Sequence, residues 1–317
     1  MSQLSLSQAR VIDPVLTNVA QGYKQNDLIG GSLFPQVPVG LRAGKILTFG
    51  KEDFMLYSTR RAPGENTKRI QFGYGSSSYS LEDHSLEGAV PIENYQEGMA
   101  PEKGFTVDHY AIAIRKVSSI MALRLEKAQA DLATTAGNYA SSNKTTLSGT
   151  SQWSDFSGTS NPVADVETAK EAIRAATGKR PNTMVMGAKV FAKLKQHPVV
   201  RDYIKYTSRE VATPEIMAEL FGVASVQVGD AIYSNDAGTA FTDVWGKFAI
   251  LAFTETASVP DMGTPTYGYT YNLGGYPIVE QPYFDRNAKS WFVPVTRAEA
   301  PVIAAATAGY LISAAVA

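Results

Sequence analysis

The strongest pattern in this chain is helical, and it lies between two distant prolines, Pro101 and Pro162. Apolar side chains advance there in steps of three and four, the period of an α-helix with one buried face. Asp108 or Thr106 can cap its start by accepting hydrogen bonds from free backbone N–H groups. The pattern predicts a helix over residues 107–139, long enough to form a spine across the subunit. Its apolar positions are Tyr110, Ile114, Val117, Met121, Leu125, Ala128, Leu132, Ala136 and Tyr139.

Shorter elements follow the long helix, each bounded by a capping residue, a proline or a glycine. The predicted helices run from Asn161-Pro162 to Gly178, over 188–196, and from Thr213-Pro214 to Gly222. The predicted strands are 183–186, 223–228, 244–253 and 309–316, with a hairpin of 276–284 and 290–295 around a turn at 285–289. Residues 140–158 predict a polar surface loop or linker, and residues 264–275, rich in Gly and Tyr, predict an exposed loop.

The first 105 residues have no long helical stripe, yet they keep many aromatic and branched side chains. Disordered segments are poor in such residues. Turn chemistry at 62–66 separates strand-like runs within 44–57 and 67–74, which predicts a long hairpin. A two-stranded ribbon is marginally stable alone in water. We therefore expect this region to bury its apolar side chains on a neighbouring subunit.

Composition narrows the possible functions of the chain. The 317 residues are 44% hydrophobic and 19% charged, which is typical of a globular protein. The formal net charge of -1 argues against a free nucleic-acid binder, although not against a container for nucleic acid. The absence of cysteine excludes disulfides and thiolate chemistry. The N-terminus lacks a signal-peptide pattern, and the apolar runs are too short for a bilayer span, so we expect a soluble protein without a membrane partner.

Signals for catalysis are weak. The three histidines, His84, His109 and His197, lie in different regions and lack metal-ligand spacing. Ser141 and Lys144 match a Ser-x-x-Lys pattern, but they sit in a low-complexity stretch without a Lys-Thr-Gly partner. We predict no enzyme activity, no catalytic or metal residue and no cofactor; a serine/lysine hydrolase is a remote alternative.

Charge placement is more informative. Residues 60–69 carry four basic side chains against one acid, whereas residues 82–97 carry five acids and no Lys or Arg. In a homopolymer a basic loop tip on one copy can meet an acidic stretch on the next, and two independently solvated surfaces are an equal alternative. Arg115, Lys116, Arg124 and Lys127 on the long helix are either surface charge or a face for a polyanion. The predicted inter-subunit contact residues are Arg60, Arg61, Glu65, Lys68, Arg69, Glu82, Asp83, Glu87, Glu93 and Glu97.

The order of these parts resembles the major capsid protein family of tailed bacteriophages with the Hong Kong 97 fold. Local stretches are similar too, although their order is the specific part of the match. The tip of the family's extended loop is similar to the stretch Ala62-Pro63-Gly64 followed by Arg69-Ile70. The similar stretches further on are Leu86–Pro91, Arg180–Met186 and Gly309–Ile312.

The resemblance implies an α+β Hong Kong 97-type capsid fold. Its expected parts are an N-terminal arm (1–43), an extended β-hairpin loop (44–80), a peripheral domain (81–159 with 276–317, including the spine helix 107–139) and an axial domain (160–275). It also implies a virion protein that assembles in the bacterial host cytoplasm into the icosahedral head of a tailed phage.

The partners implied by the resemblance begin with other copies of the chain, in hexamers and pentamers. A separate scaffold protein and a portal are also implied, with double-stranded DNA contained in the head rather than specifically bound. An encapsulin-type bacterial nanocompartment shell protein is the alternative with the same fold.

Overall fold

A computed structural model describes most of the chain in six main stretches. The described residues are 28–48, 75–98, 108–205, 212–234, 240–255 and 266–317, together with residues 16–17, 20, 60, 66 and 69. Helices and strands are mixed along them, as the sequence predicts. The helices are α1 (Gly30–Leu33), α2 (Ile92–Gly98), α3 (His109–Thr134), α4 (Pro162–Thr177), α5 (Ala188–Leu194), α6 (Pro198–Ile204) and α7 (Pro214–Phe221). Short 3-10 turns lie at Ala136–Asn138, Ser141–Asn143, Gly149–Ser151 and Ala306–Ala308.

A five-stranded sheet forms the best-buried part of the molecule. Its strands lie in the order β5 (Lys144–Thr146), β15 (Gly309–Ser313), β10 (Ala249–Ala252), β6 (Thr183–Gly187) and β7 (Ser225–Gly229). Strand β10 is antiparallel to both neighbours, whereas the outer pairs β6–β7 and β15–β5 are parallel. Met184, Met186 and Leu251 face one apolar cluster, and Val185 and Ile250 face another, so both faces of the sheet are covered.

A six-stranded sheet is built around one long strand, β14 (Ser290–Ile303). One side of β14 pairs with β4 (Glu82–Pro91), and the other side pairs in turn with β13, β12 and β11. Strand β1 lies outside β11 and parallel to it. The remaining strands of this sheet are β1 (Gln36–Val39), β11 (Gly268–Leu273), β12 (Ile278–Val279) and β13 (Tyr283–Asp285).

Two short antiparallel ribbons complete the strands. Strands β2 (Ala43–Thr48) and β3 (Gly75–Ser80) pair along their whole length, and β3 follows the predicted returning strand 67–74. The residues between them lie outside the described part of the chain, apart from 60, 66 and 69. The second ribbon pairs β8 (Ile232–Ser234) with β9 (Phe241–Asp243).

Helix α3, the spine helix, joins the two sheets. It has 26 residues, about 39 Å at 1.5 Å per residue, and the side chain of Asp108 caps it by accepting from the Ala111 N–H at 3.1 Å. Its first half packs Ile114, Val117 and Met121 on the six-stranded sheet. Its second half packs on the five-stranded sheet, so one rigid element holds both sheets together.

The local capping signals predict their elements well. Asn161 caps α4 and Gly178 ends it with a φ of 69°, where glycine has no steric penalty. Gly222 ends α7 in the same way, with a φ of 62°. The predicted hairpin turn at 285–289 is also confirmed, since β13 and β14 pair across it.

Several sequence predictions are wrong, and each error has a physical cause. Residues 264–275 contain the buried strand β11 rather than an exposed loop, because β1 and β14 pair with its two edges and its tyrosines pack with Val37 and Leu81. Residues 140–158 contain strand β5 and the fully buried Trp153. Pro198 begins helix α6 besides ending the one before it. The apolar stripe of the spine holds only to Leu125, beyond which the buried face moves to Gln129, Ala130 and Ala133.

The sheets divide the chain differently from the predicted domain boundaries. Strand β11 (268–273), expected in the axial domain, belongs to the six-stranded sheet. Strand β15 (309–313), expected in the peripheral domain, belongs to the five-stranded sheet. The division into named domains stays a prediction.

Candidate assembly surface

Strand β4 carries three of the predicted acidic contact residues along the outer side of the six-stranded sheet. Glu82, Asp83 and Glu87 are exposed, and Val90 is the single buried residue of the strand. Within the described part of the chain β4 pairs only with β14, so its other edge presents unpaired backbone N–H and C=O groups.

The acids on β4 differ in how far they are already neutralised. Asp83 accepts a hydrogen bond at 2.5 Å from Arg42, in an ion pair about half exposed on both sides. Glu87 accepts from the Tyr283 hydroxyl at 2.9 Å, and Glu82 lies 3.7 Å from the His84 ring. The negative charge of Glu87 has no cationic partner among the described residues, whereas that of Asp83 is compensated within the subunit.

Helix α2 presents the last two predicted acids, Glu93 and Glu97, on its exposed side. Its buried side is fixed by Tyr95, whose ring lies 5.3 Å from Tyr110 on the spine and 6.4 Å from Trp291 on β14. Burial, followed by the neighbouring Tyr95, raises the pKa of Tyr110 to about 12, so this contact stays neutral at physiological pH. The aromatic cluster therefore holds the acidic helix in a defined position.

The basic half of the predicted contact is only partly described. Arg60 and Arg69 are exposed, and Arg61, Glu65 and Lys68 lie outside the described residues. Among the described residues the structure records no ion pair between 60–69 and 82–97. The pairing of these two stretches stays a prediction.

The four basic residues of the spine have different surroundings. Arg124 donates to Glu299 at 2.8 Å, and Lys127 pairs with Asp131 and lies over the Tyr233 ring. Arg115 and Lys116 are exposed on the same helix. These last two are the most exposed of the four and the least engaged in contacts within the subunit.

Glu126 is a buried anchoring residue that the apolar pattern of the spine does not reveal. It is 2% exposed, and its carboxylate accepts from the Ile29 N–H at 3.0 Å, the Gly30 N–H at 2.8 Å and the Trp245 indole at 2.7 Å. Glu126 thus fastens the N-terminal segment and the loop before β10 to the spine. Glu126, Ala130 and Ala133 follow one another at helical steps of four and three residues, and this spacing is the sequence signal of the second buried face of the spine.

Gln129, one turn further along the spine, extends the same junction. It donates to the Thr270 hydroxyl at 2.8 Å, and that hydroxyl donates to the Phe34 carbonyl at 3.1 Å. A Cβ atom at Gly30 would lie 2.0 Å from the Gln129 amide oxygen and 2.7 Å from a Glu126 carboxylate oxygen, so a larger residue there would displace both buried side chains. The described parts of the predicted N-terminal arm therefore lie on the body of their own subunit. The expectation that this region buries its apolar side chains on a neighbouring subunit is wrong for Ile29, Leu33 and Phe34, which belong to the subunit's own core.

The residues considered for catalysis do not form a catalytic arrangement. The Lys144 amino group donates to the Ala136 carbonyl at 2.8 Å, and it has no hydrogen bond to Ser141 among the described residues. Burial lowers the pKa of His197, and burial together with the charge of Arg124 lowers that of His84. Among the described residues no group of three or more His, Asp or Glu side chains is placed to hold a metal ion. No helix in the described stretches is both long and apolar enough to cross a membrane.

Two sheets joined by a spine helix, with exposed charge runs and one sheet edge unpaired among the described residues, are typical of a structural subunit. Comparison with known proteins supports this class. A model of the family "Phage major capsid protein E" matches residues 127–308. The major capsid protein of Burkholderia phage BcepMu is 39% identical over 312 residues, which cover 97% of this chain and 98% of that protein. The chain belongs to this family of phage major capsid proteins.

Solved structures agree with the family assignment. A phage-related protein from Bordetella bronchiseptica RB50 has a TM-score of 0.81 and 40% identity, covering 97% of this chain and 99% of that one. The capsid structure of cyanophage P-SCSP1u has a TM-score of 0.56 at 10% identity, covering 99% of this chain and 92% of that one. The second likeness concerns the fold alone, and it shows that the mixed helix and sheet architecture is that of phage capsid subunits.

Proposed function

We propose that copies of this chain assemble through hexamers and pentamers into the icosahedral head of a tailed phage, with the Hong Kong 97 arrangement of parts. The observation that carries this proposal is the 39% identity to a phage major capsid protein over nearly the whole of both chains. The head encloses double-stranded DNA, and the chain resides in the virion after assembly in the host cytoplasm.

The assembly mechanism is burial of one-sided elements on neighbouring copies. The β2–β3 ribbon has two strands, which is too few for stability alone, and strand β4 has an open edge. In this proposal the extended loop (44–80) lies over an adjacent subunit. The six-stranded sheet and spine form the peripheral domain, and the five-stranded sheet forms the axial domain.

The remaining partners follow from the same proposal. A separate scaffold protein and a portal direct assembly, and the DNA is contained rather than read in sequence. The net charge of -1 fits containment, because a specific DNA binder needs a basic excess. Arg115 and Lys116 are the exposed basic residues of the spine helix, and in this proposal they approach the phosphates of the DNA.

The bacterial compartment alternative has less support. It shares the architecture, but the relative that covers nearly the whole chain is named a phage major capsid protein. A serine/lysine hydrolase is not favoured by the position of the Lys144 amino group.

Charge reversal tests the predicted contact between copies. We expect Arg60→Glu with Arg61→Glu to lose most assembly into shells while the subunit remains folded, because the basic loop would then repel the acidic stretch. Lys179→Glu with Arg180→Glu is the matched control, since both residues are exposed on the body between α4 and β6. Light scattering and electron microscopy of the purified chains measure assembly, and circular dichroism measures folding.

A charge swap makes this test more specific. Adding Glu93→Lys and Glu97→Lys to the Arg60→Glu, Arg61→Glu chain changes the charge of residues 82–97 from -5 to -1 and so removes most of the repulsion across the contact. We therefore expect part of the shells to return. Full assembly of the first double variant, or no recovery in the four-fold variant, would remove the charge-pairing proposal.

A further inference from the structure

The root of the β2–β3 ribbon contains an aromatic contact that lies apart from the charged residues of the assembly surface. Tyr79 on β3 stacks on Tyr271 of β11, with ring centroids 4.6 Å apart and an angle of 21° between the rings. Tyr271 is 8% exposed and belongs to a small apolar cluster with Val37 and Leu81. The stack therefore joins the ribbon to a buried residue of the six-stranded sheet.

Gly44 makes room for this stack. It is the direct cross-strand partner of Tyr79 in the ribbon. A Cβ atom at Gly44 would lie 2.6 Å from Cε1 of Tyr79, closer than real Cβ atoms approach. The Tyr79 ring is thus enclosed between the glycine on one side and Tyr271 on the other, so it has little freedom to rotate away.

Two further contacts hold the same point. The Leu81 N–H donates to the Arg42 carbonyl at 2.8 Å, which closes the ribbon where β3 leads into β4. The Arg42 guanidinium donates to Asp83 at 2.5 Å and to the Tyr276 hydroxyl at 3.3 Å. This ion pair is half exposed and so contributes little stability, which leaves the tyrosine stack as the main constraint.

We propose that the Tyr79–Tyr271 stack fixes the direction in which the ribbon leaves the subunit, which makes both tyrosines positioning residues for the contact between copies. The importance of this direction for assembly rests on the proposed shell function; the fixed direction itself does not. A ribbon held at its root reaches a neighbour with less loss of conformational freedom than one that swings.

The direction of the ribbon can be measured because the chain has no cysteine. Lys45→Cys on the exposed side of β2 and Ala175→Cys on the exposed side of α4 accept two spin labels. The labelled chain is diluted into unlabelled chain, and pulsed electron paramagnetic resonance gives the distance distribution between the labels. Thermal unfolding of each variant verifies that the body is folded.

The variants distinguish the contribution of the Tyr79 ring to the direction of the ribbon from the contribution of its hydroxyl group. Tyr79→Phe keeps the stack and loses only the 3.4 Å bond to the Leu41 carbonyl, so its distribution should match the parent chain. Tyr79→Ala should give a distribution about twofold broader, because the root then lacks its main contact. Gly44→Ala should shift or broaden the distribution by displacing the ring.

The two proposals fail in different ways. A Tyr79→Ala or Gly44→Ala chain with the parent's distance distribution would overturn the positioning role, even if the parent forms shells. Failure of the parent to form shells would overturn the proposed function while leaving the label distances as a test of the stack. If both proposals hold, Tyr79→Ala also lowers the yield of closed shells and Tyr79→Phe does not.

Discussion

Strands β6 and β4 illustrate two ways in which this chain uses a β-strand. Every residue of β6 is buried, with neighbours on both edges and apolar clusters on both faces. Strand β4 is twice as long, but Val90 is its single buried residue and one of its edges is open among the described residues. The first strand stabilises the subunit, whereas the second offers a surface beyond it.

The difference indicates where substitutions should act. The contacts around β6 are made within one subunit, so a substitution that weakens them should lower the free energy of unfolding of an isolated chain. Strand β4 and the ribbon have contacts on one side only, so substitutions there should mainly lower the yield of assembled shells. The same substitution placed in both regions tests this directly.

The largest effect is expected for Leu→Ala in the two regions. Leu251 on β10 is fully buried, and Leu251→Ala should reduce the free energy of unfolding by about 3–5 kcal/mol through lost burial and a cavity. Leu86 on β4 is 38% exposed, and Leu86→Ala should cost about 1 kcal/mol or less. Urea unfolding of the unassembled chains measures both, and equal losses would abolish the distinction.

A second pair of variants compares a buried and an exposed acid on the spine. Glu126→Ala leaves two backbone N–H groups and the Trp245 indole without an acceptor, so we expect a loss of about 3 kcal/mol. Asp131→Ala removes an exposed pair with Lys127 and should cost about 0.5 kcal/mol. The comparison uses chemical denaturation at neutral pH. A small cost for Glu126→Ala would show that Glu126 does not fasten the N-terminal segment.

The smallest effect concerns pH. His197 is 2% exposed, its ring lies 5.7 Å from Phe156, and neither of its ring nitrogens has a hydrogen-bond partner in the described structure. Its folded pKa lies below the ordinary value of 6.5, so the unfolded chain binds a proton first as pH falls. Stability should therefore decline from pH 6.5 down to the folded pKa, by at most about 1.4 kcal/mol per pH unit.

His197→Phe should remove part of this pH dependence. His84, whose pKa is also lowered, acts in the same direction and remains in the variant, so a residual decline is expected. The measurement is the unfolding free energy at a series of pH values from 8 to 5. An unchanged pH profile would contradict the buried neutral state of His197.

The sequence predicts best what is determined locally. Asp108, Gly178 and Gly222 fix the ends of their helices through short-range capping, and each of these ends lies where the pattern places it or within a few residues. Strand β11 was missed because its burial depends on Phe34 and on β14, both far away in the chain. Local Gly and Tyr content cannot reveal such distant partners.

The candidate contact residues show the same limit. Their charge runs are visible in the sequence, but the neutralisation of Asp83 by Arg42 depends on the fold of the ribbon root. Glu126 looks like one more surface acid until the N-terminal segment is placed beside it. Long-range polar contacts of this kind need the tertiary structure.

The most direct test of the central claim is electron microscopy of the purified full-length chain under assembly conditions, with and without a scaffold protein. The claim is that one-sided elements of this subunit are completed by other copies. It predicts closed icosahedral shells in which the ribbon of one copy lies on the β4 side of the next. A chain that stays a stable, folded monomer under all of these conditions would contradict it.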